Sequence, residues 1–301
     1  MKTIYPKDLP TLDFYKLLQG AVVPRPIAFA STVDKEGTVN LSPFSFFNLF
    51  SSDPPILIFS PLRRMRDNTT KHTLENILEV PEVVIHIVHF DMVEQMSLAS
   101  TEYEKGINEF SKSGFTPIKS NEVIPPRIGE AHVAFECKVN EVKSLGESGG
   151  AGNLVICQVV AAHVNEAILD EGGIIDPRKL DAVARLGGDW YSRANGNSLF
   201  QIPKPIRNLG IGVDQMPQNV RDSMSLTGNN LGRLANVEQL PSVEKVEQYG
   251  HHQDILEMRL RFQNDPDSMT DHLHLRAKEA LEEGDVEKAW LILLQNQTGI
   301  L

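Results

Sequence analysis

Residues 24–55, PRPIAFASTVDKEGTVNLSPFSFFNLFSSDPP, restrict the fold more than any other stretch of this chain. From Ile27 to Val33 the residues alternate, with Ile27, Phe29, Ser31 and Val33 on one side and Ala28, Ala30 and Thr32 on the other. That is the period of a strand with small residues on one face. The polar set Asp34, Lys35, Glu36, Gly37 follows and ends in the residue that tolerates positive φ, so the chain is expected to reverse into a short run over 38–42. Pro43 withholds one ladder donor. From Phe44 to Ser51 the alternation is poor, which predicts either a buried crossing or a binding wall, closed rigidly by Asp53, Pro54 and Pro55.

Two readings suit this segment. Its phenylalanines can fill a barrel core while Ser45 and Asn48 satisfy the backbone of a bend. Alternatively, small residues let a flat ring approach the strand, backbone groups read its polar edge, and aromatic side chains cover its face.

Three later segments bear on the choice: KHTLENI at 71–77, PPRIGEAHVAFEC at 125–137 and RLGGDWY at 185–191. Taken with the first stretch, in this order and spacing, they resemble the flavin reductase-like, FMN-binding split-barrel family over most of residues 20–193. The similarity is to its branch of flavoredoxins and reductase components of two-component monooxygenases. The first of the three is similar to that family's Lys-Asp-Thr-Leu-x-Asn-Ile, with His72 in place of the aspartate, so no role carries over to His72. The resemblance implies a mainly β fold with helices, an FMN-binding split β-barrel of Greek-key type. It also implies FMN as cofactor, NAD(P)H as transient substrate, and a homodimer with FMN near the interface. Electrons would pass to a free flavin, a redox partner protein or a small acceptor. A carrier that does not use NAD(P)H, or a non-catalytic flavin-binding module, is the alternative.

Composition narrows the rest. A hydrophobic content of 41% suits a real core, and a formal charge of −11 disfavours a nucleic-acid partner, which calls for a basic surface. No apolar run approaches the roughly 20 residues that span a bilayer, and the amino terminus has no apolar leader, so a cytoplasmic protein without a membrane partner is expected. Two cysteines allow neither a disulfide framework nor a four-cysteine metal site in one chain. Cys137 and Cys157 lie in alternating runs on either side of the glycine-rich 146–152 segment, which predicts a hairpin with both thiols buried near each other; a redox pair is the alternative. His251, His252, His272 and His274 read as solvated surface residues, and no metal is expected. No Gly-x-Gly-x-x-Gly turn follows a strand, which argues against a Rossmann nicotinamide domain.

Along the chain, a lead-in helix is expected over 12–19, a strand over 55–61, a helix over 70–79 and a strand over 83–90. Short helices follow over 92–99 and 103–111, then long strands near 131–142 and 153–165. A helix over 175–186 is expected to start at Asp176-Pro177 and stop at Gly187-Gly188. Several strands with only short helices between them argue for an antiparallel barrel. From Gln201 the character changes: Pro203, Pro205 and Pro217 mark a linker, and helical patterns cover 242–264 and 270–295, the second with a break near Gly284. The expected division is a split-barrel domain over 1–200, then a linker and helical extension over 201–301 that packs on the barrel or its dimer mate.

FMN needs a phosphate cradle, hydrogen-bond partners at its pyrimidine edge and one face open to hydride delivery. Lys71 offers a charge, and Thr73 or a free N–H at the start of its helix offers a donor to phosphate. By resemblance, Ser97 and Ser100 belong to a segment that reaches the phosphate, while Ser31 and Thr32 run beside the ribityl chain and ring. Ser45, Phe46, Phe47 and Asn48 fall where the family's loop meets the isoalloxazine. Gly188 and Tyr191 fall on the nicotinamide side; a helix C-cap with two packing aromatics is the alternative for that loop. No side-chain acid or base is required, so no catalytic residue is assigned.

Overall fold

In a computed structural model, residues 1–204 and 209–296 are described. They fall into two units, Met1–Phe200 and Gln201–Leu301. Pro205, one of the expected linker prolines, lies outside the described residues.

The first unit opens with α1 (Thr11–Ala21), followed by β1 (Ala28–Val33), β2 (Val39–Phe44), β3 (Phe47–Ser52), β4 (Pro55–Phe59), α2 (His72–Glu79) and β5 (Glu82–Ile87). It continues with α3 (Val93–Ala99), α4 (Glu109–Ser113), the short β6 (Pro117–Ile118) and β7 (Arg127–Ile128), and the long pair β8 (Val133–Ser144) and β9 (Asn153–Val164). It ends with α5 (Pro177–Leu180), β10 (Val183–Arg185) and β11 (Tyr191–Arg193). Seven strands form one antiparallel sheet in the order β2-β1-β5-β8-β9-β4-β3. The neighbours β1–β5 and β4–β9 are far apart in sequence, as in a Greek-key barrel. The two edge strands, β2 and β3, are consecutive and separated only by Ser45 and Phe46. The sheet therefore curls until its edges return to one corner, giving a barrel split along one seam.

All six residues of β1 are buried, because the strand carries core on both faces. Ala28 and Ala30 face an interior of Phe44, Phe59, Val83, Ile85, Cys137, Val155 and Cys157, closed by Leu74 and Ile77 of α2. Phe29 joins Leu41, Met96 and Phe110 in a second layer under α3 and α4, with its ring 5.5 Å from that of Phe115. Burial of each such phenylalanine contributes about 1.5–3 kcal/mol. Gly37, at φ +83°, makes the expected turn between β1 and β2, and Asp34 Oδ1 accepts from the Thr38 N–H at 2.7 Å to fix it. Both cysteines are buried and unpaired, and Cys137 pairs with Val159 while Cys157 pairs with Val139 across the hairpin.

Several local expectations are corrected. Phe44 to Ser51 is not a buried crossing: β3 is an edge strand, with Leu49 and Phe50 exposed at 62% and 63%. The helix expected over 103–111 starts only at Glu109, because the Asn108 side chain accepts from the Phe110 and Ser111 N–H groups and sets the cap there. The helix expected over 175–186 has its Asp176 cap and Pro177 but ends after Leu180, where Asp181 turns left-handed. Val183 to Arg185 instead forms a strand with Tyr191 to Arg193, so the two glycines make a hairpin turn rather than a helix C-cap.

The second unit is built from α6 (Gln218–Arg221), α7 (Gly228–Ala235), α8 (Val243–Gly250), α9 (Gln253–Arg261), α10 (Pro266–Glu282) and α11 (Val286–Leu293). It has its own core around Trp290, whose indole N–H donates to Leu234 O at 3.0 Å. Gly284, at φ +88°, separates α10 from α11. The pattern over 242–264 is two helices, interrupted at His251 and His252. His274 is buried, against the surface expectation, because it shares a helix face with Ala277 and Leu281 at i+3 and i+7. No helix among the described residues is long and apolar enough to cross a membrane.

Candidate cofactor site at the barrel seam

The split in the barrel is where the functional candidates gather. Pro43 is tolerated in β2 because that strand is an edge, and after Phe44 the chain turns through Ser45 and Phe46 into β3. Ser42, Pro43, Phe44, Ser45 and Phe46 from this corner, with Ser60 and Leu62 from beyond β4, line a cleft of about 250 Å³. Tyr15 of α1, Lys71 at the cap of α2 and Ser100 at the cap of α3 complete the lining. The cleft thus combines aromatic surface, four serine hydroxyls and one ammonium. Tyr15 meets Phe46 edge-on at 6.3 Å, its hydroxyl accepts from Gln19 Nε2 at 2.8 Å, and burial raises the pKa of its phenol.

Buried Arg25 holds the corner from behind. Its guanidinium donates to Gln19 O at 2.7 Å, Val22 O at 2.6 Å and Leu186 O at 2.8 Å. Nε lies 3.5 Å from Ser45 Oγ, and the guanidinium sits 5.9 Å from the Phe46 ring centre. One side chain therefore ties the end of α1, the cleft wall and the β10–β11 hairpin together, with its charge at the favourable C-terminal end of a helix.

A cationic loop adjoins Lys71. Lys71 Nζ and Arg64 Nε each lie 3.3 Å from Glu102 Oε1, and Arg66 Nη1 lies 3.4 Å from Glu102 Oε2. These cations hold the Glu102 carboxyl below its ordinary pKa, Lys71 most strongly. Asp67 is lowered to about 2, chiefly by hydrogen bonds from the Thr69 hydroxyl and N–H. Arg63 donates to Asn68 Oδ1 and Asn68 O, both at 2.7 Å, which folds the loop on itself. Two glycines make close packing here possible. A Cβ on Gly149 would come within 3.0 Å of Arg64 O, and one on Gly152 would lie 2.7 Å from Ser60 Oγ.

Of the residues singled out in the sequence, Ser45, Phe46, Lys71 and Ser100 line this cleft together. Phe47 is half-buried against the barrel core, and Asn48 Oδ1 accepts from the Leu49 N–H at 2.8 Å on the exposed edge strand. Ser31, Thr32 and Thr73 do not reach the cleft with their side chains. Ser31 is buried and donates to Pro126 O at 2.5 Å, while buried Thr32 accepts from Asn76 Nδ2 at 3.2 Å. Thr73 donates to Asn40 Oδ1 at 2.6 Å, and Asn40 Nδ2 donates in turn to Glu109 Oε1 at 2.8 Å. Burial raises the Glu109 pKa in spite of these bonds. Ser97 and Tyr191 line a different pocket of about 230 Å³ with Phe90, Val183 and Arg193. Gly188, at φ +58°, turns the β10–β11 hairpin.

Tyr15, Ser60 and Leu62 carry no motif in the sequence: the β3–β4 pairing sets the Ser60 N–H on Phe46 O at 2.8 Å, and Tyr15 arrives with α1. Ser42 had a faint signal, since it shares a strand face with Asn40 and Phe44. Arg25 had another, as a charged residue between two prolines beside a buried strand.

The flavin reductase like domain family matches this chain over residues 20–183. The chain belongs to the flavin reductase-like family. Among solved structures, nitrilotriacetate monooxygenase component B from Bacillus cereus is similar at a TM-score of 0.63 and 32% identity, covering 67% of this chain and 98% of that one. The 2-nitrobenzoate 2-nitroreductase NbaA of Pseudomonas fluorescens gives 0.60 and 28%, covering 69% and 100%. A split-barrel protein from Shewanella frigidimarina, assigned as a flavin reductase, gives 0.57 and 26%, covering 66% and 95%. The family match ends within the first unit. For a flavin-binding family, the donor set of the seam cleft fits: aromatic side chains for a ring, hydroxyls for its polar edge and sugar-like chain, and a cation for a phosphate.

Proposed function

We propose that this protein is an FMN-dependent oxidoreductase that takes hydride from NAD(P)H and passes electrons to a free flavin, a redox partner protein or a small acceptor. The observation that carries the reading is the seam cleft, where Lys71 and four serine hydroxyls meet Phe44 and Phe46 in a flavin reductase-like chain. FMN, when bound, supplies the redox chemistry. Lys71, supported by Arg64, would hold its phosphate, and Ser42, Ser45 and Ser60 would orient its polar groups. Arg25 fixes Ser45 and Phe46, so the cleft wall is organised before a ligand arrives. Tyr15 and Lys71 are the titratable side chains that line the cleft. This supports a chemistry in which the chain positions, desolvates and polarises, without a dedicated acid or base.

The reading includes a cytoplasmic homodimer. Support comes from the first-unit surface: α1 buries none of its residues, with Leu12, Leu17 and Leu18 exposed, and β3 exposes Leu49 and Phe50 on an open sheet edge. Light scattering that gives a monomer at micromolar concentration overturns the dimer.

The test of function is anaerobic mixing of the FMN-loaded protein with NADH and then NADPH. Rapid bleaching of the flavin band by either supports the reading. Bound flavin that neither nicotinamide bleaches leaves an electron carrier, and failure to bind FMN removes both redox roles.

A further inference from the structure

Three cations converge on one carboxylate, Glu102, beside the cleft. Lys71, Arg64 and Arg66 reach this single carboxylate at 3.3, 3.3 and 3.4 Å, yet its side chain is 43% exposed. Arg66 is exposed and adds little to stability through this pair, while the less exposed Arg64 is held independently by Thr69 Oγ1 and Thr70 O. Asp67 takes part of the charge of Arg66 at 3.1 Å, which still leaves three cations against two carboxylates in a chain of net charge −11. The cluster touches the seam cleft directly, since Lys71 lines it and Glu102 stands two residues beyond Ser100, which lines it too.

We propose that Glu102 is a displaceable occupant of the phosphate seat, and so a specificity-determining residue of the cleft. It holds the three cations in place when no ligand is present and competes with the phosphate of an incoming flavin nucleotide. This rests on the flavin reading and deepens it. A phosphate dianion carries more charge than one carboxylate and suits the excess of cations, so it wins the seat. The competition weakens its hold and speeds its release. Riboflavin, which has no phosphate, leaves Glu102 in place and escapes the competition.

The test is Glu102→Gln, which keeps size and removes charge at an exposed position. Flavin fluorescence titrations of wild type and variant with FMN and with riboflavin give four dissociation constants. Three solvent-accessible pairs together correspond to about tenfold in affinity, so FMN should bind the variant about tenfold more tightly and dissociate more slowly. Riboflavin affinity should stay within about twofold, the range left when no exposed pair changes. Weaker FMN binding, unchanged FMN binding, or an equal change for both flavins overturns the proposal. Inorganic phosphate, titrated by calorimetry, separates this inference from the functional one. If neither protein binds flavin but the variant gains phosphate affinity, the flavin reading fails and the role of Glu102 stands. If flavin binds and the variant matches wild type, the role of Glu102 fails alone.

Discussion

Arg25→Ala removes the side chain that joins three elements around the cleft. Its guanidinium makes hydrogen bonds of 2.7, 2.6 and 2.8 Å to Gln19 O, Val22 O and Leu186 O. A bond from a charged donor is worth about 1.5–3 kcal/mol, but the helix-end carbonyls lie near the surface and can regain water. The three are also not additive. The expected loss for the first unit is therefore about 2–4 kcal/mol, below the simple sum. Arg25→Lys should recover less than half, because an ammonium cannot present the planar fork that reaches three directions. Hydrogen exchange followed by mass spectrometry reads the effect locally. Peptides covering 11–22, 42–48 and 183–193 should lose protection together, while the β8–β9 hairpin should not. Flavin affinity should fall about tenfold or more, since the wall formed by Ser45 and Phe46 loses its support. A destabilisation under about 1 kcal/mol, or exchange that rises in only one of the three segments, would refute the staple.

Thr73→Val and Lys71→Met should separate structure from binding. The first leaves buried Asn40 Oδ1 without its donor and should reduce stability by about 1–3 kcal/mol with little change in flavin affinity; the second should weaken FMN about tenfold with stability nearly unchanged. Denaturant titrations and flavin titrations on both variants check this. His86 is fully buried, donates from Nδ1 to Phe29 O, accepts at Nε2 from the Ile128 N–H, and has its pKa lowered from 6.5 to about 4 by desolvation. Its contribution is thus complete above about pH 6.5 and lost as pH falls toward 4, where the unfolded chain binds a proton that the folded chain refuses; at about 1.4 kcal/mol per unit the window holds about 3 kcal/mol. Stability curves of wild type and His86→Gln between pH 7 and 4 should converge as the pH falls; parallel curves would count against it. Burial pushes the Cys137 thiol up to about 12 and holds Cys157 well above the ordinary thiol range, so both should resist alkylation in the folded protein at pH 8 and react once it is denatured.

How much was legible follows from which forces are local. The β8–β9 hairpin was readable because twelve-residue alternating runs on either side of a glycine-rich turn have one reasonable pairing. The barrel class followed from strands that lack a regular helix after each. The segment over 175–186 carries genuine helix signals in its Asp176 cap and Pro177, but Asp181 stops the helix after four residues and Val183 pairs across the hairpin, a contact the local pattern does not encode. Within the cleft, Ser45, Phe46, Lys71 and Ser100 carry motifs, whereas Ser60 is set beside Phe46 by the β3–β4 pairing and Tyr15 is brought by α1. A motif also does not say which way a side chain faces. Thr73 sits in the same motif as Lys71 yet points to Asn40, because Thr73 lies in the first turn of α2 whereas Lys71 is the extended residue that precedes it.

The central claim is that the seam of the barrel is the flavin site. Crystals of the protein soaked with FMN test it most directly. Difference density should place the ring against Phe44, Ser45 and Phe46, with the phosphate at Lys71 and Arg64. Ordered FMN elsewhere, such as the polar cavity of about 220 Å³ lined by Asp34, Asn76 and Glu109, would contradict the account.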